Sequence, residues 1–472
     1  MAFSQLLLNL ALNIYMMTIR KTLFLLLFLV HGGAYGQDGR PNIILFIADD
    51  ISAEDIGCYG DPVAKTPVMD RMAREGIRFT NAYVTTSSCS PSRCSILSGR
   101  YPHNTGAAEL HMPLPPEVLT FAELLHEAGY YTAHAGKWHM GDAAKRGFDL
   151  IQEGNKLNGD GGEARWVSTL QARPKDRPFF CWFAAFDAHR PWGPNDLGGT
   201  HRPDSVPVPP YLVDAEDTRG DLAAYYDEIS RFDRSIGEVE EELRRQGVAE
   251  NTLIIVLSDN GRPFPRSKTR LYDSGVKTPF IVMWPGGTGV RGAVSNSLLS
   301  TVDIAPTLLS LADISVPDDF QGVSFAALLS NPDTRVRDHV FTEHNWHDYE
   351  ALERMVRTED FLYVLNLRPS LANQGPADAV NSPSFADLQR QRDAGRLTAA
   401  QADVFMRPRP HEELFDCRSD TDQLVNVASL PQYRGALERH RALLAEWRRE
   451  TGDTEPADLT PDRFDRETGE RL

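Results

Sequence analysis

An Asp-Asp pair, an Asp-Asn pair, one cysteine and a set of basic side chains have the residue types for metal-assisted chemistry on an anionic group. Asp49-Asp50 follows the apolar run Asn42–Ala48, and Asp259-Asn260-Gly261 follows the apolar run Thr252–Ser258. Three carboxylates and an amide are hard oxygen donors that suit Ca²⁺ or Mg²⁺ rather than zinc. A lone strand-end Asp is usually a helix N-cap. Two such clusters repel each other, and a cation would relieve that repulsion. Cys89 stands in Ser87-Ser88-Cys89-Ser90-Pro91-Ser92-Arg93-Cys94-Ser95-Ile96-Leu97-Ser98-Gly99-Arg100. Pro91 is expected at the first position of a helix over 92–97, where its missing N–H would be unpaired anyway. That helix would aim free N–H groups at an anion beside Cys89, and Arg93 would add a fixed charge. Taken alone, Cys89 reads equally as a small buried residue in a serine-rich loop.

Three further fragments carry basic groups: Gly136-Lys137-Trp138-His139, Asp187-Ala188-His189-Arg190-Pro191, and Arg262 to Arg270 with four positive charges in nine residues. Singly, a strand-end Lys is usually solvated and a His is often a hydrogen-bonded filler. Each fragment follows an apolar run, however, and ligands of open α/β sheets bind outside the carboxyl ends of the strands. They are therefore expected to share one rim with the aspartates.

The elements that would position these groups are legible in the hydropathy pattern. Asn42–Ala48 is apolar throughout, as a strand buried on both faces should be, and similar runs recur at 130–135, 178–186, 252–258 and 279–284. Amphipathic helical patterns lie between them; the longest steps through Leu222, Tyr225, Ile229, Phe232, Ile236, Val239 and Leu243 before Gly247. The expected fold class is α/β, a large mixed, mainly parallel sheet sandwiched by helices. Near 331–332 the pattern changes to short strands at 340–342 and 361–365, a polar stretch at 376–403 and a last helix over 432–450. This predicts a catalytic domain at 37–335 and a smaller C-terminal α+β domain at 336–472, leaning over the pocket and ending in a mobile charged tail.

Composition narrows the partners and the compartment. The formal charge of −17 excludes nucleic-acid binding by counterion release, so an anionic substrate requires the local basic pocket described above. Five cysteines with no CxxC pair argue against a disulfide scaffold or structural zinc. Residues 1–36 read as an export signal: Arg20-Lys21, an apolar run at 23–30, then Ala34-Tyr35-Gly36. The run is too short to span a bilayer, which takes about 20 residues, so no stable membrane insertion is expected. The apolar patch at 6–14 fits a start misassigned ahead of Met16 or Met17. A periplasmic or secreted bacterial protein is the expectation.

In order and spacing, these motifs resemble the formylglycine-dependent sulfatase family of the alkaline phosphatase superfamily, from Asp49 to the Glu-Leu-Phe-Asp segment that ends at Asp416. The resemblance implies that a maturation enzyme converts Cys89 to Cα-formylglycine. Its hydrate would attack sulfur with one hydroxyl and expel sulfate through the other, splitting one difficult step into two. It also implies that Asp49, Asp50, Asp259, Asn260 and the modified Cys89 bind one divalent ion, usually calcium. Arg93 and His139 would hold the hydrate, Lys137 and Lys268 would grip sulfate oxygens, and His189 would donate a proton to the leaving group.

Ser87 to Arg93, Asp259-Asn-Gly-Arg-Pro-Phe-Pro265 and Asp221-Leu-Ala-Ala-Tyr225 are most similar to the heparan N-sulfatase (N-sulfoglucosamine sulfohydrolase) branch and its bacterial relatives. That branch also includes enzymes of sulfated algal polysaccharides, so the expected substrate is a sulfated mono- or oligosaccharide with N- or O-sulfate. Candidate sugar contacts are His111, His344, His347, Arg354 and Arg357; Trp346 would either stack on a sugar or pack between domains. A phosphoester hydrolase of the same superfold is the competing reading, disfavoured because Asp259 is followed by Asn260 and not by His. A non-catalytic carbohydrate-binding relative is the other alternative.

Overall fold

Strand β1, Asn42–Ala48, runs through the middle of the sheet with all seven side chains buried. Its alternate residues feed two different cores. Ile44, Phe46 and Ala48 join one apolar cluster, and Ile43, Leu45 and Ile47 join another on the opposite face. Each fully buried Ile, Leu or Phe contributes about 1.5–3 kcal/mol of transfer free energy, and apolar residues on both faces confine this strand to the interior of the sheet. The first cluster is closed by helices Pro67–Glu75, Glu163–Ala172 and Glu216–Arg245. The second is closed by Cys89–Ser98, Phe121–Glu127 and Ile304–Leu311.

This computed structural model describes residues 39–154, 163–193, 200–373, 375–466 and 468–472; the expected export segment 1–36 lies outside them. The eight-stranded sheet has the order β4-β3-β5-β1-β6-β7-β2-β8. Here β2 is Ile77–Tyr83, β3 Tyr131–Gly136, β4 Leu150–Glu153, β5 Phe179–Ala184, β6 Thr252–Ser258, β7 Phe280–Met283 and β8 Ala293–Ser300. All neighbours are parallel except β7, which runs antiparallel to both β6 and β2. The chain is α/β, as its hydropathy pattern predicts.

A second, antiparallel sheet has the order β12-β11-β10-β9, from His339–His344 (β9), Glu353–Thr358 (β10), Phe361–Asn366 (β11) and Glu412–Asp416 (β12). One face packs on helix Arg434–Thr451 through Phe341, Val356, Leu444 and Trp447. The other packs on Tyr83, Leu271, Tyr272 and Leu298. The loop that carries Lys268 is thereby clamped between the two sheets. The charged tail is not loose, contrary to expectation. Buried Asp453 takes the guanidinium of Arg354 at 2.7–2.9 Å, and Arg463 donates its backbone N–H to Asp348 at 2.7 Å. Ion pairs and backbone bonds hold this segment where apolar residues are scarce.

Candidate active site

Strands β1 and β6 are parallel neighbours with Ala48 opposite Ser258, so Asp49-Asp50 and Asp259-Asn260 leave the sheet side by side. Asp50 has φ +64°, a left-handed conformation that Asp tolerates better than most residues, and its N–H donates to Asp259 Oδ1 at 3.2 Å. One ligand atom from each of Asp49, Asp50, Cys89 and Asp259 lies within 4.8 Å of the others, all four residues being buried. Asn260 donates Nδ2–H to Asp50 Oδ1 at 2.6 Å, while its Oδ1 is enclosed with no hydrogen-bond partner. Burial pushes Asp50 up to about 7 and Asp259 up to about 6, with Asp49 adding to both. An enclosed orphan oxygen beside mutually repelling carboxylates fits a hard divalent cation.

Cys89 begins its helix rather than preceding it. The helix spans Cys89–Ser98, so Pro91 falls at its third position and not its first. The shift is tolerated because none of the first four N–H groups has an intrahelical acceptor. Ser88, at the N-cap, makes no side-chain cap; its Oγ instead meets His347 Nδ1 at 2.6 Å. Cys89 Sγ sits 3.4 Å from Asp49 Oδ1 and 3.7 Å from Asp50 Oδ1. Burial, then the Asp49 charge, pushes the thiol well above its ordinary range, so the unmodified side chain makes a poor nucleophile here. The cysteines are all free and Cys94 is buried in the core.

Basic groups ring this centre. Lys137 Nζ pairs with Asp49 Oδ2, and Lys268 Nζ pairs with Asp50 Oδ2 at 2.7 Å. Gly136 aims Lys137: its φ is +113°, and a Cβ there would fall 1.7 Å from Ala184 O. Arg93 donates from Nε to Asp259 Oδ2 at 2.8 Å and from Nη1 to Lys137 O at 3.1 Å. His139 Nε2 meets His111 Nδ1 at 2.7 Å, and the enclosed His139 Nδ1 has no hydrogen-bond partner. His189 Nε2 lies 4.0 Å from Asp50 Oδ2, with Nδ1 against Arg190 O. Burial, then Lys268 and Lys137, lowers His189 to about 4. The arrangement can hold a tetrahedral anion between two ammonium groups and a cation, with imidazoles at its edge.

The sulfatase family profile matches residues 41–160 and 164–314. The chain belongs to the sulfatase family. Its members are hydrolases of sulfate esters and sulfamates, and this chain is such an enzyme. A second profile, N-sulphoglucosamine sulphohydrolase C-terminal, matches 266–364. Human N-sulphoglucosamine sulphohydrolase is 32% identical, over 88% of this chain and 91% of its own length. An ulvan-active sulfatase of Formosa agariphila is 29% identical, over 88% and 76%. Among solved structures, a protein in complex with its substrate D-glucosamine-2-N,6-O-disulfate has TM-score 0.69 at 21% identity, covering 88% of this chain and 99% of its own. The phosphonate monoester hydrolase of Agrobacterium radiobacter has TM-score 0.68 at 18% identity, covering 87% and 96%.

Of the sugar contacts expected in this sulfatase, His347 and His111 reach the groups around Cys89, through Ser88 and His139. His344 is enclosed, with neither ring nitrogen hydrogen-bonded and Glu353 at 3.6 Å. Arg354 is 2% exposed and held by Asp453 and Asn345. Arg357 is 5% exposed and faces Asp273. The structure does not bring these two arginines to the cluster. A guanidinium on a strand packed on both faces needs local counter-charges, and these have them. Trp346 is buried and donates to Pro461 O at 2.8 Å. Asp378, in the short helix Ala377–Val380, was not anticipated. It lies 3.6 Å from Lys268 and 3.7 Å from His189. Arg190 is held by Asp221, inside helix Glu216–Arg245, through two 2.6 Å bonds.

Proposed function

We propose that this chain is a carbohydrate sulfatase that removes sulfate from N-sulfoglucosamine or O-sulfated sugar residues. Cys89 is matured to Cα-formylglycine, and Asp49, Asp50, Asp259 and Asn260 hold a Ca²⁺ ion. The observation that carries the reading is the ring of Asp49, Asp50, Cys89 and Asp259 ligand atoms within 4.8 Å, bordered by Lys137, Lys268 and the unpartnered Asn260 oxygen. Cys89 Sγ stands where an oxygen of the formylglycine hydrate would lie. The similarity to human N-sulphoglucosamine sulphohydrolase and to an ulvan-active sulfatase supports a sulfated sugar as substrate.

When bound, the ion would polarise the nucleophile and a sulfate oxygen, and formylglycine would supply a hydroxyl nucleophile where a buried thiol cannot. The remaining work falls to side chains on this chain. Lys137 and Lys268 stabilise negative charge on the sulfuryl oxygens in a water-poor site. Arg93 and His139 orient the residue at 89. His189 faces the departing oxygen or nitrogen with Nε2 and would give it a proton once the bound anion offsets Lys268 and Lys137, which otherwise lower its proton affinity. Residues 37–335 form the catalytic domain and 336–472 the subdomain that covers the pocket. The maturation enzyme acts before folding, and the product is periplasmic or secreted. A small pocket on an acidic protein favours release of sulfate from chain ends.

A desulfation screen tests the assignment. N-sulfated and 6-O-sulfated glucosamine oligosaccharides are compared with sulfated rhamnose and galactose oligosaccharides; release from none of them would defeat it. Phosphomonoester or phosphonate cleavage is the second reading, favoured by the fold shared with the phosphonate monoester hydrolase. It would be adopted if such substrates outpaced all sulfated ones.

A further inference from the structure

His111 and His139 meet across two loops that are bonded to each other. Leu114 donates its backbone N–H to Met140 O at 2.9 Å, and Leu110 donates to Trp346 O at 3.2 Å. Gly141 allows the close approach: its φ is +81°, and a Cβ there would fall 2.4 Å from Pro113 Cβ. His111 donates its own backbone N–H to Ser90 Oγ at 2.7 Å, in the helix that begins at Cys89. Both histidines have left-handed backbones, with φ +69° and +57°. Such backbones are strained in residues other than glycine and persist where the surroundings fix them. The outcome is a 2.7 Å contact between His111 Nδ1 and His139 Nε2, with ring centroids 4.9 Å apart.

One proton lies in that contact, and the surroundings decide which ring owns it. Burial, then Lys137, holds His139 well below its ordinary range, and burial, then Arg463, lowers His111. Both rings are therefore neutral at pH 7, each with a single N–H. If His111 donated, the His139 proton would sit on Nδ1, which is enclosed and has no hydrogen-bond partner. A buried donor left unpaired is costly and rare. If His139 donates from Nε2, that cost disappears, and the remaining N–H belongs to His111, an exposed side chain with water at hand. His139 Nδ1 is then a bare, enclosed acceptor.

We propose that His111 is a positioning residue that fixes the tautomer of His139, leaving Nδ1 free to accept a hydrogen bond from the matured residue at 89. The use of that acceptor rests on the sulfatase reading; the tautomer rests on the two loops alone. A hydroxyl at 89 would be the donor that Nδ1 lacks, and a thiol is a weak one. The opposite tautomer would present an N–H, which suits a sulfate oxygen and offers the residue at 89 no acceptor. In this role His111 acts through His139 and not on the sugar.

The test is ¹⁵N magnetic resonance of the full chain labelled at histidine, with His139 assigned by its loss in His139→Gln. At pH 7 the wild type should show His139 protonated at Nε2 and bare at Nδ1, with or without the modification at 89. His111→Ala should give a mixture of the two tautomers. It should also lower kcat on a sulfated sugar about 10–100-fold, the loss typical of a removed orienting partner, at nearly constant KM. His111→Asn should restore the Nε2–H form and most of kcat, because its Oδ1 can replace Nδ1 and asparagine tolerates a left-handed backbone. If His111→Ala does not fold, the wild-type tautomer and His111→Asn still decide. His139 protonated at Nδ1 in the wild type overturns the proposal, as does an unchanged tautomer in His111→Ala or a loss confined to KM. Tautomers are read without turnover, so failure to release sulfate from any substrate contradicts the sulfatase reading separately from this assignment.

Discussion

Ser88 Oγ lies 2.6 Å from His347 Nδ1, so the residue preceding Cys89 is tied to the loop after β9 rather than to its own helix. The N-terminal N–H groups of helix Cys89–Ser98 keep their freedom to face an anion, while the C-terminal sheet fixes where that helix begins. Removing this contact should act on catalysis more than on stability. His347→Ala is expected to lower kcat about 10–100-fold through misplacement of the residue at 89, with KM changing less. Steady-state kinetics on one sulfated sugar separate these effects; a change confined to KM would make His347 a substrate contact instead.

Metal removal should be costly and reversible. Asp49, Asp50 and Asp259 crowd three buried carboxylates together, so a tight chelator should abolish activity and added Ca²⁺ should restore it. Calcium at about a hundredfold its Kd should stabilise the native state by about 2.7 kcal/mol, raising the melting temperature. Asp259→Asn should lose both effects. A melting curve indifferent to calcium and chelator would remove the cation from the site.

A structural carboxylate sets the acid limit of stability. Burial opposes the charge of Asp403, but Arg270, Arg409 and Arg266 outweigh it and hold the carboxyl well below its usual range. Because the folded value is depressed, its stabilisation is full above the unfolded value near 4 and is lost as pH falls towards the folded one. Asp403→Asn should cost about 3–5 kcal/mol at pH 7, leaving buried guanidinium groups unpaired, and its stability should fall less steeply with acid. Denaturant titrations at pH 6 and pH 3 check this; equal acid slopes for both proteins would contradict it.

His103 and Glu343 give the opposite sign. Burial works against the His103 charge, but Glu343 at 3.1 Å raises its value above the ordinary one. Its contribution is present below about pH 6.5 and lost as pH rises through the raised value. His103→Gln should therefore be less stable than the wild type at pH 6, with a smaller difference at pH 9. Thermal melts at the two pH values measure it, and a difference independent of pH would argue against a charged pair.

What the sequence discloses about this protein is set by the range of each interaction. β1 and β6 could be bounded to the residue, because apolar runs ending in Asp49 and Asp259 are local signals. Their adjacency followed from the rule that such strands share a sheet. Pro91 was displaced by two positions because any of the first helical positions accepts a proline. Arg354 and Arg357 looked like sugar contacts; their counter-charges, Asp453 and Asp273, are 99 and 84 residues away, and nothing local marks them. Asp378 stayed hidden for the same reason. It lies in a polar stretch without a motif, and tertiary packing alone brings it to Lys268.

The most direct measurement is peptide mass analysis across Cys89, paired with sulfate-release activity on the same preparations with and without a co-expressed maturation enzyme. The expected result is an aldehyde in place of the thiol, in a fraction that tracks activity, with Cys89→Ala folded and inactive. Full activity in protein whose Cys89 is an unmodified thiol would contradict the account.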